Sequence, residues 1–272
     1  MPLELMYITN RPEVARAAVD GGVDRIFLDM EWIGKESRQH NMDTVKNHHT
    51  LADVQRIRAA VPDCTLLVRV NPLYDGSREE IAGAVACGAD RIMLPMWHTA
   101  AEVEKFLFLL DGQAPATLLL ETADAVRALP DVLSLGRDFE VHIGLNDLHL
   151  SLGQKFLFEP LANGTVDALA AQLHGAGVRF GIGGFGRLGS RPLAAELIVA
   201  EHYRLGSEVA ILSRSFLNPV NLSATQIRAA FRDGVKQLRN YEQFLTTCDA
   251  AFFKENKFRL CSRVAEIVKE IE

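Results

Sequence analysis

The stretches Leu118-Leu119-Leu120-Glu121-Thr122 and His142-Ile143-Gly144-Leu145-Asn146-Asp147-Leu148 each bring an apolar run to a carboxylate. Each run reads as a buried parallel strand, because it is nearly all apolar instead of alternating. The two acids lie one strand-helix-strand step apart, so neighbouring strands would deliver them to the same end of one sheet. A buried carboxylate is strongly unfavourable unless something positive compensates it. An arginine or a divalent cation with oxygen ligands is the usual compensator.

Outward from this pair, a weak unit recurs: a helix tail, a glycine turn and a short apolar strand. It appears as Gly21-Gly22-Val23-Asp24-Arg25-Ile26-Phe27-Leu28-Asp29 and as Gly88-Ala89-Asp90-Arg91-Ile92-Met93-Leu94-Pro95. Gly177 and Gly206 open later versions. Strand-like runs fall at 3–9, 25–31, 65–71, 91–96, 116–121, 139–145, 179–184 and 209–214, with helical patterns at 11–20, 51–61, 77–86, 99–110, 122–135, 165–175 and 191–205. Eight strands alternating with helices predict an α/β fold, a (βα)8 TIM barrel. A doubly wound sheet is the alternative, but no GxGxxG follows the first strand, and Gly181 to Gly186 come too late for a dinucleotide fingerprint. The barrel is expected over 1–223. Residues 224–272 read as C-terminal helices, with Ile227, Phe231, Val235, Leu238, Tyr241 and Phe244 at helical spacing. They supply the last barrel helix and an extension that packs on the barrel or on a neighbouring subunit.

Composition narrows the classes. Hydrophobic residues make up 48% and charged residues 24%, enough for a full core, and the net charge of −6 disfavours nucleic acid and anionic membrane surfaces. No apolar run approaches the ~20 residues of a membrane helix. The four cysteines show no ligand spacing and the N-terminus has no signal-peptide pattern, so the expectation is a cytoplasmic protein with reduced thiols.

In a (βα)8 barrel, chemistry sits at the C-terminal ends of the strands. Those ends carry Asp29 and Glu31, Arg69 and Asn71, Trp97 and His98, Glu121, Asn146 and Asp147, Arg187 after the glycine-rich stretch, and Ser213-Arg214-Ser215. Glu121 and Asp147 are the candidate metal ligands; oxygen donors from so few residues suit Mg²⁺ or Mn²⁺, completed by water and substrate. The competing reading has Asp147 capping a helix and Glu121 paired with an arginine. Arg69 follows an apolar run and needs an anion, either a substrate carboxylate or enolate oxygen, or Glu31 or Asp29. Asn71, Trp97, Asn146 and Arg187 are candidate substrate contacts, Trp97 having packing as its other role. His142 reads as a satisfied interior histidine. The polar loop 34–50, with Lys35, Arg38, Lys46, His40, His48 and His49, is long enough to be a lid over the site. The stretch Gly181 to Gly189 would cradle an anion or serve as a bare turn.

The segments Phe27 to Glu31, Leu67 to Pro72, Gly88 to Met96, Leu120 to Ala125 and Ile143 to Leu148 resemble, in order, the HpcH/HpaI aldolase and citrate lyase β-subunit family. The resemblance implies a metal-dependent pyruvate-type aldolase or lyase, often a trimer or hexamer. It places the metal on Glu121 and Asp147 and the pyruvyl or enolate oxygen on Arg69. Aldolases of that family commonly carry a histidine directly after the strand-2 glutamate, where this chain has Trp32. Proton transfer then falls to metal-bound water, to Glu31 or to a loop histidine such as His49 or His40. The arginine- and glycine-rich loop before strand 5 is also missing. The expectation is therefore a carbon–carbon lyase acting on a 2-oxo acid such as pyruvate, with an aldehyde partner. A citrate-lyase-like acyl-CoA lyase or thioesterase and a non-catalytic metabolite-binding barrel are the alternatives.

Overall fold

The computed structural model describes residues 1–34, 49–213 and 215–271. The expected lid, with Lys35, Arg38, His40, Lys46 and His48, and also Arg214, lie outside the described residues. Eight parallel strands, β1 (Glu4–Ile8), β2 (Arg25–Asp29), β3 (Thr65–Arg69), β4 (Arg91–Leu94), β5 (Ala116–Leu120), β6 (Glu140–Ile143), β7 (Phe180–Phe185) and β8 (Val209–Leu212), close into a barrel in sequence order. The closing pair is β8 with β1, in the register Leu5 to Ala210. Among the described residues the helices are α1 (Pro12–Asp20), α2 (Leu51–Ala60), α3 (Ser77–Ala86), α4 (Ala100–Leu110), α5 (Ala123–Leu133), α6 (Leu145–Ser151), α7 (Glu159–Ala162), α8 (Thr165–Gly175), α9 (Ala195–Leu205), α10 (Ala224–Leu245) and α11 (Ala250–Ile271).

The TIM barrel predicted from the strand pattern is the fold observed. Helix starts are set by capping: Thr50, Thr99 and Ser223 each form a reciprocal capping box with Asp53, Glu102 and Gln226. Two short helices, α6 and α7, went unanticipated because each is too brief for a 3.6-residue period to stand out. The expected helix 191–205 begins only at Ala195. Along α10, Ile227, Phe231, Val235 and Leu238 are buried, and the helix packs on α1. That is the position of the eighth barrel helix, so the barrel continues past residue 223 and α11 alone lies outside it, against α9 and α7. Phe244, expected in the buried stripe, is half exposed; Leu245 takes the inward position. Among the described residues no helix is long and apolar enough to cross a membrane.

Alternation along the strands divides the barrel interior into storeys. Met6, Phe27, Leu67, Met93, Leu119 and Val209 form a buried apolar waist, separate from the large cluster between sheet and helices. Two residues earlier along the strands lies a floor of ions. Arg25 donates to Glu140 at 2.8 and 3.0 Å and to Glu4 at 2.8 Å, while Arg179 reaches Glu140 at 3.0 Å, Glu4 at 2.7 Å and Glu208 at 3.1 Å. This gives the repeated Gly-x-Asp-Arg unit a physical purpose. Its aspartate accepts a backbone N–H from the preceding strand, Asp24 from Leu5 and Asp90 from Leu66, and its arginine turns into the floor.

Burial raises the Glu140 carboxyl, but Arg25 and the neighbouring arginines bring it below its ordinary 4.5. A lowered folded-state value means stabilisation that is complete above pH 4.5 and lost as the pH falls through the lowered value. Arg25→Met, which strands Glu140 in the interior, should cost about 3–5 kcal/mol in urea unfolding at neutral pH. The double variant Arg25→Met/Glu140→Met should regain much of that loss.

Candidate active site

Two residues beyond the waist, the same alternation brings Asp29, Arg69 and Glu121 to the inner side of the barrel's C-terminal mouth. Arg69 donates through Nε to Asp29 Oδ1 and through Nη2 to Asp29 Oδ2, both at 2.9 Å, and Nη2 lies 3.3 Å from Glu31 Oε2. Its guanidinium stands over the Phe27 ring at 5.6 Å. Burial works against the cation, but Asp29, Glu31 and Glu121 outweigh it and hold Arg69 firmly charged. Of the two partners the sequence left open, the protein supplies both carboxylates. Among the described residues no acceptor lies on Nη1, so one edge of the fork remains for a ligand.

Glu121 follows β5 directly and is buried. Its Oε1 accepts the backbone N–H of Met96 at 3.1 Å. Met96 takes φ 49°, a left-handed conformation that costs a non-glycine residue about 1–3 kcal/mol. Gly144 makes room beside the carboxylate, since a Cβ there would lie 3.1 Å from Glu121 Oε2. The chain turns at Gly144 straight into α6, so Asn146 and Asp147 fall in the first turn of that helix. Gly144, not Asp147, is the N-cap residue, and Asp147 does not act as the cap.

Burial first, then the charge of Asp147, push the Glu121 carboxyl well above its ordinary range; Arg69 opposes this and Glu31 adds to it. Among the described residues the mouth thus holds Asp29, Glu31, Glu121 and Asp147 around Arg69, more carboxylates than guanidinium groups. The donors are all oxygen, and a divalent cation would relieve their repulsion, which fits Mg²⁺ or Mn²⁺. Among the described residues no group of three or more His, Cys, Asp or Glu side chains forms a cage, so water and substrate oxygens would complete the shell.

Other expected site residues have different work. His49 is buried, and its Nδ1 accepts the Asp29 N–H at 2.9 Å. His49 thereby holds the backbone of Asp29 in place. Asn71 is likewise spent on structure: Oδ1 accepts from Trp32 and Ile33, both at 2.9 Å, and Nδ2 donates to Glu80 at 2.7 Å. Trp97 is buried in the outer core and touches the edge of a 270 Å³ cavity with Leu94 and Met96, a cavity that Arg69 and Glu121 do not line. Arg187 turns away from the mouth, its Nη2 donating to the Ala230 carbonyl of α10 at 3.3 Å. His142 is an interior histidine bonded to the Gly183 carbonyl at 3.1 Å, and burial lowers it to about 4.

Three comparisons bear on this arrangement. The profile of the HpcH/HpaI aldolase/citrate lyase family matches residues 5–159, more than half of the chain. No curated protein matches the sequence. Among solved structures, an HpcH/HpaI aldolase/citrate lyase family protein from Burkholderia cenocepacia J2315 superimposes with a TM-score of 0.62 at 18% identity, covering 88% of this chain and 95% of the other. An HpcH/HpaI aldolase from Desulfitobacterium hafniense DCB-2 gives 0.59 at 13%, covering 88% and 93%. A citrate synthase variant gives 0.55 at 17%, covering 78% and 86%. At these identities the structural likeness speaks for the fold.

Because the Glu121 value is raised, the folded state holds its proton at pH values where the unfolded chain has lost it, so this group subtracts stability as the pH rises above 4.5. In chelator-treated protein, Glu121→Gln should therefore melt higher than the parent at neutral pH and converge with it in acid. Scanning calorimetry across pH checks this, and a variant that melts lower at pH 7 counts against the crowding of charge described here.

Proposed function

Because the chain belongs to the HpcH/HpaI aldolase/citrate lyase family, we propose that it is a divalent-metal-dependent carbon–carbon lyase joining or releasing a 2-oxo acid such as pyruvate and an aldehyde. The family itself supports a lyase-type enzyme. What carries the finer reading is one observation: two mutually repelling carboxylates, Glu121 and Asp147, share the mouth with the Arg69 guanidinium, already aimed by Asp29.

Glu121 and Asp147 would hold Mg²⁺ or Mn²⁺, which when bound supplies Lewis-acid polarisation of the substrate's oxygens. Everything else falls to the chain's own groups. Asp29 clamps Nε and Nη2 of Arg69, so the guanidinium meets its substrate in a fixed orientation. Nη1 donates to the 2-oxo acid and steadies negative charge as the enolate develops. Glu31 sits beside both Arg69 and Glu121 and is the carboxylate placed to move the proton. In the cleavage direction it accepts the proton of the hydroxyl as the carbon–carbon bond breaks, the bonding pair passing into the enolate and the aldehyde leaving. A proton then returns to the enolate carbon. Trp32 does not replace the missing histidine: its indole has no acid–base group for the step, its side chain is exposed, and its backbone N–H donates to Asn71.

Exchange of pyruvate methyl protons into deuterated water, followed by NMR with Mg²⁺ or Mn²⁺ present, tests the reading without any aldehyde. Asp147→Ala should abolish the exchange and the metal-induced rise in melting temperature together. Glu31→Gln should slow exchange by about 10²–10⁴-fold, the range of general acid–base catalysis, while keeping the metal-induced rise. Undiminished exchange in Asp147→Ala would refute the assignment.

A further inference from the structure

Strands β6, β7 and β8 end around a cavity of 480 Å³ whose polar lining is Asn146, Ser190, Arg191, Ser213 and Ser215. Asn146 adjoins Asp147, so the cavity opens beside the carboxylate pair, on the side of the barrel away from Arg69. Its volume lies within the few hundred cubic ångströms typical of small-molecule sites. Phe156, Phe158 and Phe185 form an apolar wall. Among the described residues its lining holds one cation and no carboxylate. By contrast, the 590 Å³ cavity beside Trp32 and His49 is edged by Glu79 and Glu80 and would repel an anion.

The hydroxyls are gathered at one point. Ser213 and Ser215 Oγ atoms are 2.7 Å apart, and a Cβ on Gly186 would collide with the hydroxyls of both Ser215 and Ser190. Only glycine leaves that point open. The backbone fixes the group as well: Ser190 N–H donates to the Arg187 carbonyl at 2.9 Å, Arg187 N–H to Ser215 at 3.4 Å, and Ser213 N–H to Phe185 at 2.9 Å. The bond between Ser213 and Ser215 uses one hydroxyl proton, so with Ser190 two hydroxyl donors and a guanidinium at the rim remain, which suits the tetrahedrally arranged oxygens of a phosphate better than the two coplanar oxygens of a carboxylate. The ends of strands 7 and 8 are also where this fold commonly binds phosphate.

We propose that Ser190, Arg191, Ser213 and Ser215 around Gly186 form a phosphate subsite, and that the second reactant is a short phosphorylated aldehyde. Its role as reactant rests on the lyase reading; the phosphate site itself does not. The test is calorimetric titration of the full chain with glycerol 3-phosphate, glycerol and succinate. Glycerol 3-phosphate should bind at least about ten-fold more tightly than succinate, and glycerol should not bind. Arg191→Met and Ser215→Ala should each weaken it by about ten-fold, the loss expected for a charge-assisted hydrogen bond, with melting temperatures unchanged. Should either variant melt early, Ser213→Ala and Ser190→Ala supply the same comparison. Absence of binding, equal binding of succinate, or affinity indifferent to these substitutions overturns the subsite. Pyruvate methyl exchange, which needs no second reactant, judges the lyase reading separately. Exchange without glycerol 3-phosphate binding sinks only the subsite, and binding without exchange sinks only the lyase.

Discussion

A closed barrel leaves each strand two sides, and side chains two residues apart must share one of them. That constraint stacks the interior of this protein into an ionic floor, an apolar waist and a charged mouth. The waist of Met6, Phe27, Leu67, Met93, Leu119 and Val209 separates two sets of charges that use the same residue types to opposite effect. In the floor, Glu4 and Glu140 face Arg25 and Arg179, and both acids are held below their ordinary range despite burial. At the mouth, among the described residues, carboxylates outnumber guanidinium groups, and Glu121 is driven upward. A fold that needed charge only for stability would balance both ends. Among the described residues that surplus of carboxylates lies at the end where TIM barrels do their chemistry.

Arg69 shows how the mouth tolerates such crowding. Its bidentate pair with Asp29 fixes a planar fork in one orientation, and Asp29 is itself fixed from behind by His49, which takes its N–H. Asn71 holds the chain after Glu31 in place through two backbone N–H groups. These are positioning roles. In the lyase reading proposed above, the chemistry itself falls to Arg69, Glu31, Glu121 and Asp147.

The parts legible in the sequence are those set by one element at a time. A strand's apolar run announces its direction, so the residue that ends it must lie at the mouth; Glu121, Asp147 and Arg69 are found that way. His49, Asn71, Trp97 and Arg187 belong to loops and turns, where the partner comes from another element and residue type does not name it. Arg187 is turned aside by a carbonyl of α10, far along the chain. The ionic floor was within reach of the sequence. Glu4, Arg25, Arg91, Glu140 and Arg179 all stand at the start of apolar runs, and the repeat of Asp-Arg ahead of Ile in two strands marked the pattern. The signal was there, but charge at a strand's start says nothing of sign pairing until the barrel's order is known.

The mouth is also uneven around its circumference. Strands β2, β3, β5 and β6 lead into charged residues, whereas among the described residues β7 and β8 lead into glycine and serine. A bond-making centre between two fragments asks for such a division: one side must stabilise charge that appears and disappears during the reaction, and the other must hold a fragment without altering the charge balance. Hydroxyls on a rigid backbone meet the second need, because they donate to a ligand without adding net charge near Glu121 and Asp147. Arg191, the one cation among the described residues of the cavity lining there, stands at the exposed rim, where its charge is screened by solvent.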